Sequence, residues 1–175
     1  SLVRIYRERI PSISKMVVTN LISQELIEVE PDLHEEVELD MASVVEEYRR
    51  TDRELGEKAK DIVAMRNLDY SYTHKIKGKL AREKQFGLGE DAIEWITNQM
   101  VEMLLQTRHV DEVYGEDTEL RRVIAPILKK ELGVADQMDV EVKKRIRNLT
   151  EGTSDYEIEY QKALEKVRSS KKSSD

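Results

Sequence analysis

The stretch VELDMASVVEEY, from Val37 to Tyr48, determines the fold class of this chain. Its apolar residues recur every three or four positions, which is the period of one face of an α-helix. These residues are Val37, Met41, Val44, Val45 and Tyr48. Charged and small residues occupy the positions between them, so the stretch predicts a helix with one buried face. The same period continues along most of the chain, and we therefore expect an all-α protein.

Residues that begin or end helices divide the chain further. Pro11 is a good first-turn residue, and it predicts the start of the first helix. The run Thr51-Asp52-Arg53-Glu54 matches a capping box, which predicts that one helix ends and another begins at Thr51. In the second half, Pro126 predicts a kink or a split within a helix, and Gly133 predicts a helix end. Together with the apolar pattern, these residues predict about eight helices.

The two halves of the chain repeat one pattern at a shift of about 83 residues. Apolar residues that align at this shift include Ile13 with Ile96, Val37 with Leu120, and Ala59 with Val142. We therefore expect two tandem, related helical modules of about four helices each, residues 1–86 and 87–168, followed by a disordered tail, residues 169–175. The pattern leaves two arrangements open, because the modules either form separate domains or exchange helices.

The composition excludes several classes of protein. Among 175 residues, 37% are charged and 39% are hydrophobic, and the formal net charge is −7. An acidic chain has no overall attraction to nucleic acid or to anionic lipid. The sequence contains no cysteine, which excludes disulfides and thiolate chemistry and fits a cytoplasmic location. No apolar stretch is long enough to span a bilayer, so we expect no membrane partner.

Reactive motifs are missing from the sequence. Acidic residues crowd the segment from Glu28 to Glu47 around His34, but no glutamate stands three positions before any of the three histidines. The Glu-x-x-His pairs of helical di-metal sites are therefore not present. Phosphate-binding loops, dinucleotide fingerprints and nucleophile elbows are missing as well. We expect no cofactor, no metal and no enzymatic activity, and we interpret the acidic segment as a solvated helix face.

Two features are candidates for an interaction surface. The segment from Lys75 to Lys84 predicts a basic helix, on which Lys75, Lys79 and Arg82 share one face and could neutralise phosphates. The alternative is a charged outer face, since the aligned helix of the second half is acidic. Trp95 is the single tryptophan, and it predicts either an interface anchor or a core residue.

Several strings of residues resemble a known family. The longest are Leu26-Ile27-Glu28-Val29-Glu30, Gly89-Glu90-Asp91-Ala92-Ile93-Glu94-Trp95-Ile96 and Asp111-Glu112-Val113-Tyr114. With Arg9-Ile10-Pro11, Glu36 to Arg49 and Asn148 to Thr153, they are similar to the bacterial domain of unknown function 507 (DUF-507). The resemblance covers nearly the whole chain and implies a helical bacterial protein. It implies no catalytic or binding residue.

Helical modules without reactive groups are typical of proteins that bind partners in grooves between helices. We therefore expect a non-enzymatic protein–protein interaction module with an unidentified protein partner. The alternative is nucleic-acid binding through the basic helix around Lys75 to Lys84. Nothing in the sequence specifies an oligomeric state.

Overall fold

The computed structural model of the chain describes residues 3, 5–147, 149 and 154–174, and the side chains of all of these except 133–140 and 170–174. The protein is all-α, as the sequence predicts. The α-helices of the described residues are α1 Ile10–Ser23, α2 His34–Met65, α3 Thr73–Glu83, α4 Ala92–Gln106, α5 Asp117–Arg145 and α6 Ser154–Ser174. Two short strands, β1 Ile27–Glu28 and β2 Glu112–Val113, follow α1 and α4.

Four helices surround the main core. Helix α1 packs on α2, α2 on α4, α4 on α5, and α5 on α1, so each helix contacts two neighbours. The core is one continuous cluster whose fully buried side chains include Val17, Leu21, Met41, Ile96 and Ile124. Residues on both sides of the predicted boundary at 86/87 therefore lie in the same core.

The two strands also join the halves. β1 and β2 pair antiparallel, with Ile27 opposite Val113 and Glu28 opposite Glu112. The backbone N–H groups of Tyr114 and Gly115 both donate to the carbonyl of Leu26, at 2.8 and 3.0 Å. The pairing places the segment that follows α1 beside the segment that follows α4.

Two helical hairpins extend from the core. Helix α3 packs along the C-terminal half of α2, and this pair is called the first arm. Helix α6 packs along the C-terminal part of α5, and this pair is called the second arm. The second arm has a hydrophobic cluster of its own, made of Tyr6, Val142, Ile146, Tyr156, Tyr160, Ala163, Leu164 and Val167.

The predicted helix boundary at Thr51 is wrong. Helix α2 continues through this residue, and its buried face runs on from Tyr48 to Leu55 and Ala59. Ion pairs also cross the position, because the Arg50 guanidinium contacts Glu47 at 2.5 Å and Glu54 at 2.7 Å. An uninterrupted apolar stripe outweighs a capping motif whose residues are compatible with a helix interior.

The predicted split at Pro126 and helix end at Gly133 are wrong as well. Helix α5 runs from Asp117 to Arg145 without interruption. Pro126 is exposed, so water can reach the carbonyl that loses its helical partner. Among the described residues, each half therefore has three α-helices rather than four. Helix α6 continues to Ser174, which differs from the disordered tail expected for residues 169–175; Asp175 lies outside the described residues.

Three helices of the first half end in the same way. Glu25, Asn67 and Gln85 follow α1, α2 and α3 with φ values of 58°, 53° and 56°. The next residue in each case donates its N–H to the carbonyl five positions earlier, as Phe86 does to Ala81 at 2.9 Å. This is the Schellman arrangement, in which glycine is the usual residue at the left-handed position.

The cleft between the two arms as a candidate interaction site

The basic helix presents its predicted face to solvent. Lys75, Lys79 and Arg82 are all exposed on α3, and none of them is ion-paired within the described part of the chain. The neighbouring Lys77 behaves differently, because its Nζ lies 2.6 Å from Asp52 Oδ1 on α2. Helix α3 therefore uses one cation to dock on α2 and leaves three in a row on its outer face.

Trp95 packs against two other aromatic rings. Its ring lies 5.0 Å from that of Phe86 and 5.6 Å from that of Tyr48, measured between centroids. The Tyr48 hydroxyl donates to the carbonyl of Gly87 at 3.0 Å, and burial raises the pKa of this phenol well above its usual range. A Cβ at Gly87 would collide with the Asp91 carbonyl, so this aromatic cluster requires glycine there. The half-buried Trp95 thus joins α2 to α4.

The sequence gives no sign of a polar cluster that links the halves. Asp40 on α2 accepts a hydrogen bond from Thr107 Oγ1 at 2.6 Å, and its other neighbour is His109 Nδ1 at 2.9 Å. Asp40 is one of many acids in its segment, and His109 lies 69 positions away. Only the packing of α2 on α4 brings them together. Within the ranges that the structure describes, no three or more acidic or histidine side chains are arranged to hold a metal ion.

A concave surface lies between the arms. Two adjoining cavities of about 610 and 380 Å³ share the wall formed by Val3, Tyr48, Asp52 and Arg53, and together they are called the interarm cleft. The larger cavity is bounded by α2 and α3 on one side, and by Lys143, Tyr156 and Glu157 of the second arm on the other. The smaller lies between α2 and α6.

Charges of both signs surround the interarm cleft. Cationic side chains of the larger cavity include Arg53, Lys60 and Lys77, while Asp52, Glu57 and Glu90 are acidic. Gly56 and Gly78 contribute backbone surface to the same cavity. Of the sequence-predicted site residues, neither the three exposed cations of α3 nor Trp95 lines it.

The N-terminal segment of the chain lies in the cleft. Val3 contacts both cavities, and Val3 and Ile5 pack against the main core. Tyr6 is only 8% exposed in the cluster of the second arm, where the Arg168 guanidinium lies 4.3 Å from the centre of its ring. Arg168 also forms an ion pair with Glu8. The segment thus bridges the core and the second arm.

A second exposed feature lies at the tip of the first arm. Met65 is 85% exposed, Tyr72 48% and Leu68 39%, all close to the turn between α2 and α3.

Among the described helices, none has both the length and the apolar content that crossing a bilayer requires.

These features define a class of all-α protein with a shared four-helix core and two helical-hairpin arms that border a cleft. The family model described as protein of unknown function (DUF507) matches residues 3–172. Because this match covers nearly the whole chain, the protein belongs to that family, and the resemblance found in the sequence is confirmed. No curated protein matches the chain.

Proposed function

We propose that this protein is a non-enzymatic interaction module that binds an extended segment of a partner protein in the interarm cleft. The observation that supports this proposal most directly is the position of the chain's own N-terminal segment. Residues 3, 5 and 6 lie in the cleft, and Tyr6 buries its ring against α6 there. A surface that accommodates one extended segment has the shape and the chemistry to accommodate another.

The lining of the cleft favours a peptide over a small metabolite. Apolar contacts from Tyr48, Leu88 and Leu164 are surrounded by charges of both signs. This combination is typical of protein interfaces, in which apolar anchors are buried and the rim is polar. The cavities total far more volume than one side chain needs, so several residues of a partner would fit.

Further parts of the proposal concern organisation and location. We propose that the arms belong to two related modules, residues 1–86 and 87–168, and that duplication produced them. Supporting this, α2 begins at His34 and α5 at Asp117, 83 positions apart. A cytoplasmic location stays a prediction from the sequence.

The proposal is tested by affinity capture from a host lysate with nuclease present, using matched variants. Gly56→Gln with Gly78→Gln narrows the larger cavity, and both helices tolerate the change because glutamine is the better helix former. The control pair, Glu102→Gln with Lys130→Gln, alters exposed helix positions outside the cleft. We expect the wild type and the control to capture the same protein and the cleft variant to lose it. Equal capture by all three contradicts the proposal.

A second candidate function is binding of nucleic acid by α3. Its support is the row of three exposed cations Lys75, Lys79 and Arg82, which form no ion pair with any residue that the structure describes. Such contacts release counterions, so the affinity for nucleic acid is expected to fall steeply as salt increases. Changing all three residues to Glu should abolish binding. The control variant, in which Arg122, Lys129 and Lys130 are changed to Glu, has the same charge difference elsewhere on the surface and should still bind. A flat salt dependence, or equal effects of the two triple variants, excludes this function.

A further inference from the structure

The segment that forms the tip of the first arm and α3 has a charge opposite to that of the whole chain. Residues 65–84 contain six basic and two acidic residues, a net charge of +4, whereas the net charge of the chain is −7. The remaining residues therefore carry −11. A positive surface on an acidic molecule attracts anions to one place, while the rest of the molecule repels them.

The exposed cations of α3 lie in line with a tyrosine. Tyr72, Lys75, Lys79 and Arg82 stand at intervals of three and four residues, which places them on one helix face, and they are called the α3 row. Tyr72 belongs to it because its backbone is already helical, with φ −78° and ψ −12°. All four side chains are exposed. At a rise of about 1.5 Å per residue, the row is about 15 Å long.

The positive charge of the row is concentrated and largely uncompensated. Arg82 folds back along the helix, because its Nη1 lies 3.5 Å from the position that a Cβ at Gly78 would take. Glu83 is the one acid in α3. Lys75, Lys79 and Arg82 form no ion pair within the part of the chain that the structure describes. A phosphate that binds here therefore displaces counterions and not an acidic side chain.

Tyr72 adds an aromatic face to the end of the row. Its side chain is 48% exposed, and the exposed Leu68 and Met65 extend the apolar surface around the turn that precedes α3. Unpaired bases stack on such aromatic side chains with little regard to sequence. The bases of a duplex are already stacked on one another and are not available to the ring. The combination of cations and an exposed aromatic ring therefore favours a single strand.

Two other polyanions fit the row less well. A rigid duplex that extends beyond α3 approaches the acidic remainder of the chain, which repels it. An anionic bilayer in contact with the apolar tip reaches Lys75, but Arg82 lies about 10 Å further from the tip along the helix axis. A flexible single strand can follow the row alone.

We propose that the α3 row binds a short single-stranded nucleic acid, whose phosphates contact Lys75, Lys79 and Arg82 and one of whose bases stacks on Tyr72. This inference rests on the second candidate function, and it adds the class of nucleic acid and the residue that selects it. At a spacing of about 3.4 Å per nucleotide in a stacked strand, the row accommodates about four nucleotides.

The test measures binding of the full-length chain by fluorescence anisotropy to labelled oligothymidylate, to oligouridylate and to a mixed-sequence duplex, each of about twelve nucleotides or base pairs. Tyr72→Ala should weaken binding to the single strands by about tenfold, because the stacked base loses its platform, and should leave binding to the duplex unchanged. Tyr72→Phe keeps the ring and should bind as the wild type does. Tyr114→Ala is the control, since it removes an exposed tyrosine outside the arm.

The salt dependence gives the number of phosphate contacts. With three contacts to a single strand, the logarithm of the affinity should fall with the logarithm of the salt concentration at a slope of about −2. Lys79→Gln removes one contact and should make this slope shallower by about 0.7. Lys130→Gln, at an exposed position of α5, removes the same charge and should not change the slope.

The outcomes separate this inference from the function on which it rests. A preference for either single strand over the duplex that is lost in Tyr72→Ala supports the inference. If the duplex binds at least as tightly and Tyr72→Ala changes nothing, α3 still binds nucleic acid, but the inference is wrong. Preferential binding to vesicles of phosphatidylserine and phosphatidylcholine also overturns it. If no nucleic acid binds even at low salt, both the inference and the second candidate function are overturned.

Discussion

At the scale of single residues, three helix ends have side chains where glycine is the usual choice. Glu25, Asn67 and Gln85 all have positive φ values. Asparagine tolerates this backbone region better than other non-glycine residues, whereas glutamate and glutamine pay a steric cost from their Cβ atoms. The hydrogen bonds of the Schellman arrangement and the burial of Leu26 and Phe86 next to it offset that cost.

Gln85→Gly is therefore expected to increase the free energy of unfolding by about 0.5–1 kcal/mol, because it relieves the strain at φ 56°. Urea denaturation measures the change. The neighbouring Lys84 has φ −90°, so Lys84→Gly relieves nothing and should destabilise the protein slightly. An equal effect at both positions would show that the left-handed conformation carries no strain.

The phenol of Tyr48 makes the free energy of unfolding depend on pH in the alkaline range. Burial, and secondarily the charge of Asp52, raises the pKa of this phenol far above the ordinary value of 10.0. The folded state therefore retains a proton that the unfolded state releases. The contribution of this proton to the free energy of unfolding is fully present below pH 10 and decreases as the pH rises beyond it. The expected slope is at most about 1.4 kcal/mol per pH unit for one proton.

Tyr48→Phe should make the loss of stability above pH 10 shallower, as measured by urea denaturation at several pH values between about 9 and 11.5. It should also lower stability at neutral pH by about 1 kcal/mol, because the Gly87 carbonyl loses its donor. Tyr72→Phe is the control, since it removes a phenol that is exposed at the arm tip. A slope unchanged by Tyr48→Phe would contradict the assignment.

At the scale of helices, Gly56 in the first arm affects both the stability of α2 and the width of the cleft. Helix α2 contains Gly56, which is a poor helix former in an interior position. A Cβ at Gly56 would meet only the end of Lys77, at 3.7 Å, which is ordinary van der Waals contact. The glycine is therefore not required by packing within the chain, and it widens the cleft beside it.

Gly56→Ala should stabilise the protein by about 0.5–1 kcal/mol, because alanine has the higher helix propensity and finds room for its methyl group. Thermal denaturation measures the gain. Gly87→Ala provides the contrast, and it should destabilise the protein because its Cβ collides with the Asp91 backbone. A destabilising Gly56→Ala would mean that α2 and α3 pack more tightly than the structure indicates.

Sequence patterns predict helices well here and their ends less well. The apolar face from Val37 to Tyr48 predicts α2 correctly, but the helix continues past the boundary predicted at Thr51 and ends at Met65. The Thr51 motif misleads because a capping box describes only local hydrogen bonds, while the buried face that continues to Ala59 depends on the packing of α3. Local motifs contain no information on such packing.

The candidate site is less predictable still. The cations of α3 are exposed as expected, but the interarm cleft depends on how α2, α5 and α6 are arranged in space. Tyr6 has no distinguishing pattern in the sequence, because a single aromatic residue before the first helix has no periodic neighbours. Its burial follows only from the location of the second arm.

At the scale of the whole molecule, the halves share one core. Helix α1 contacts α5 and helix α2 contacts α4, so each half provides the surface on which the other packs. Residues 1–86 alone would expose the faces of Val17 and Met41 that α4 and α5 cover. A helical fragment with such a face uncovered lacks the tertiary packing that supplies most helical stability.

We expect the fragment of residues 1–86 to show no cooperative thermal unfolding by circular dichroism, and the mixture with residues 87–175 to recover it. The full chain under the same conditions is the control. A cooperative transition of the fragment alone would show that the first half is an independent domain.

The pairing of β1 with β2 has a consequence for synthesis in the cell. Ile27 lies opposite Val113, so the contact joins positions 86 residues apart in the chain. Ribosomes add about 5–20 residues per second, so synthesis of the intervening chain takes roughly 4–17 seconds. During this time α1 and β1 are not yet covered by their partners from the second half. During that interval the apolar faces of α1 and α2 are available to chaperones and to neighbouring nascent chains. The protein completes its fold late, and changes that slow translation between the two strands should affect its yield more than its final stability.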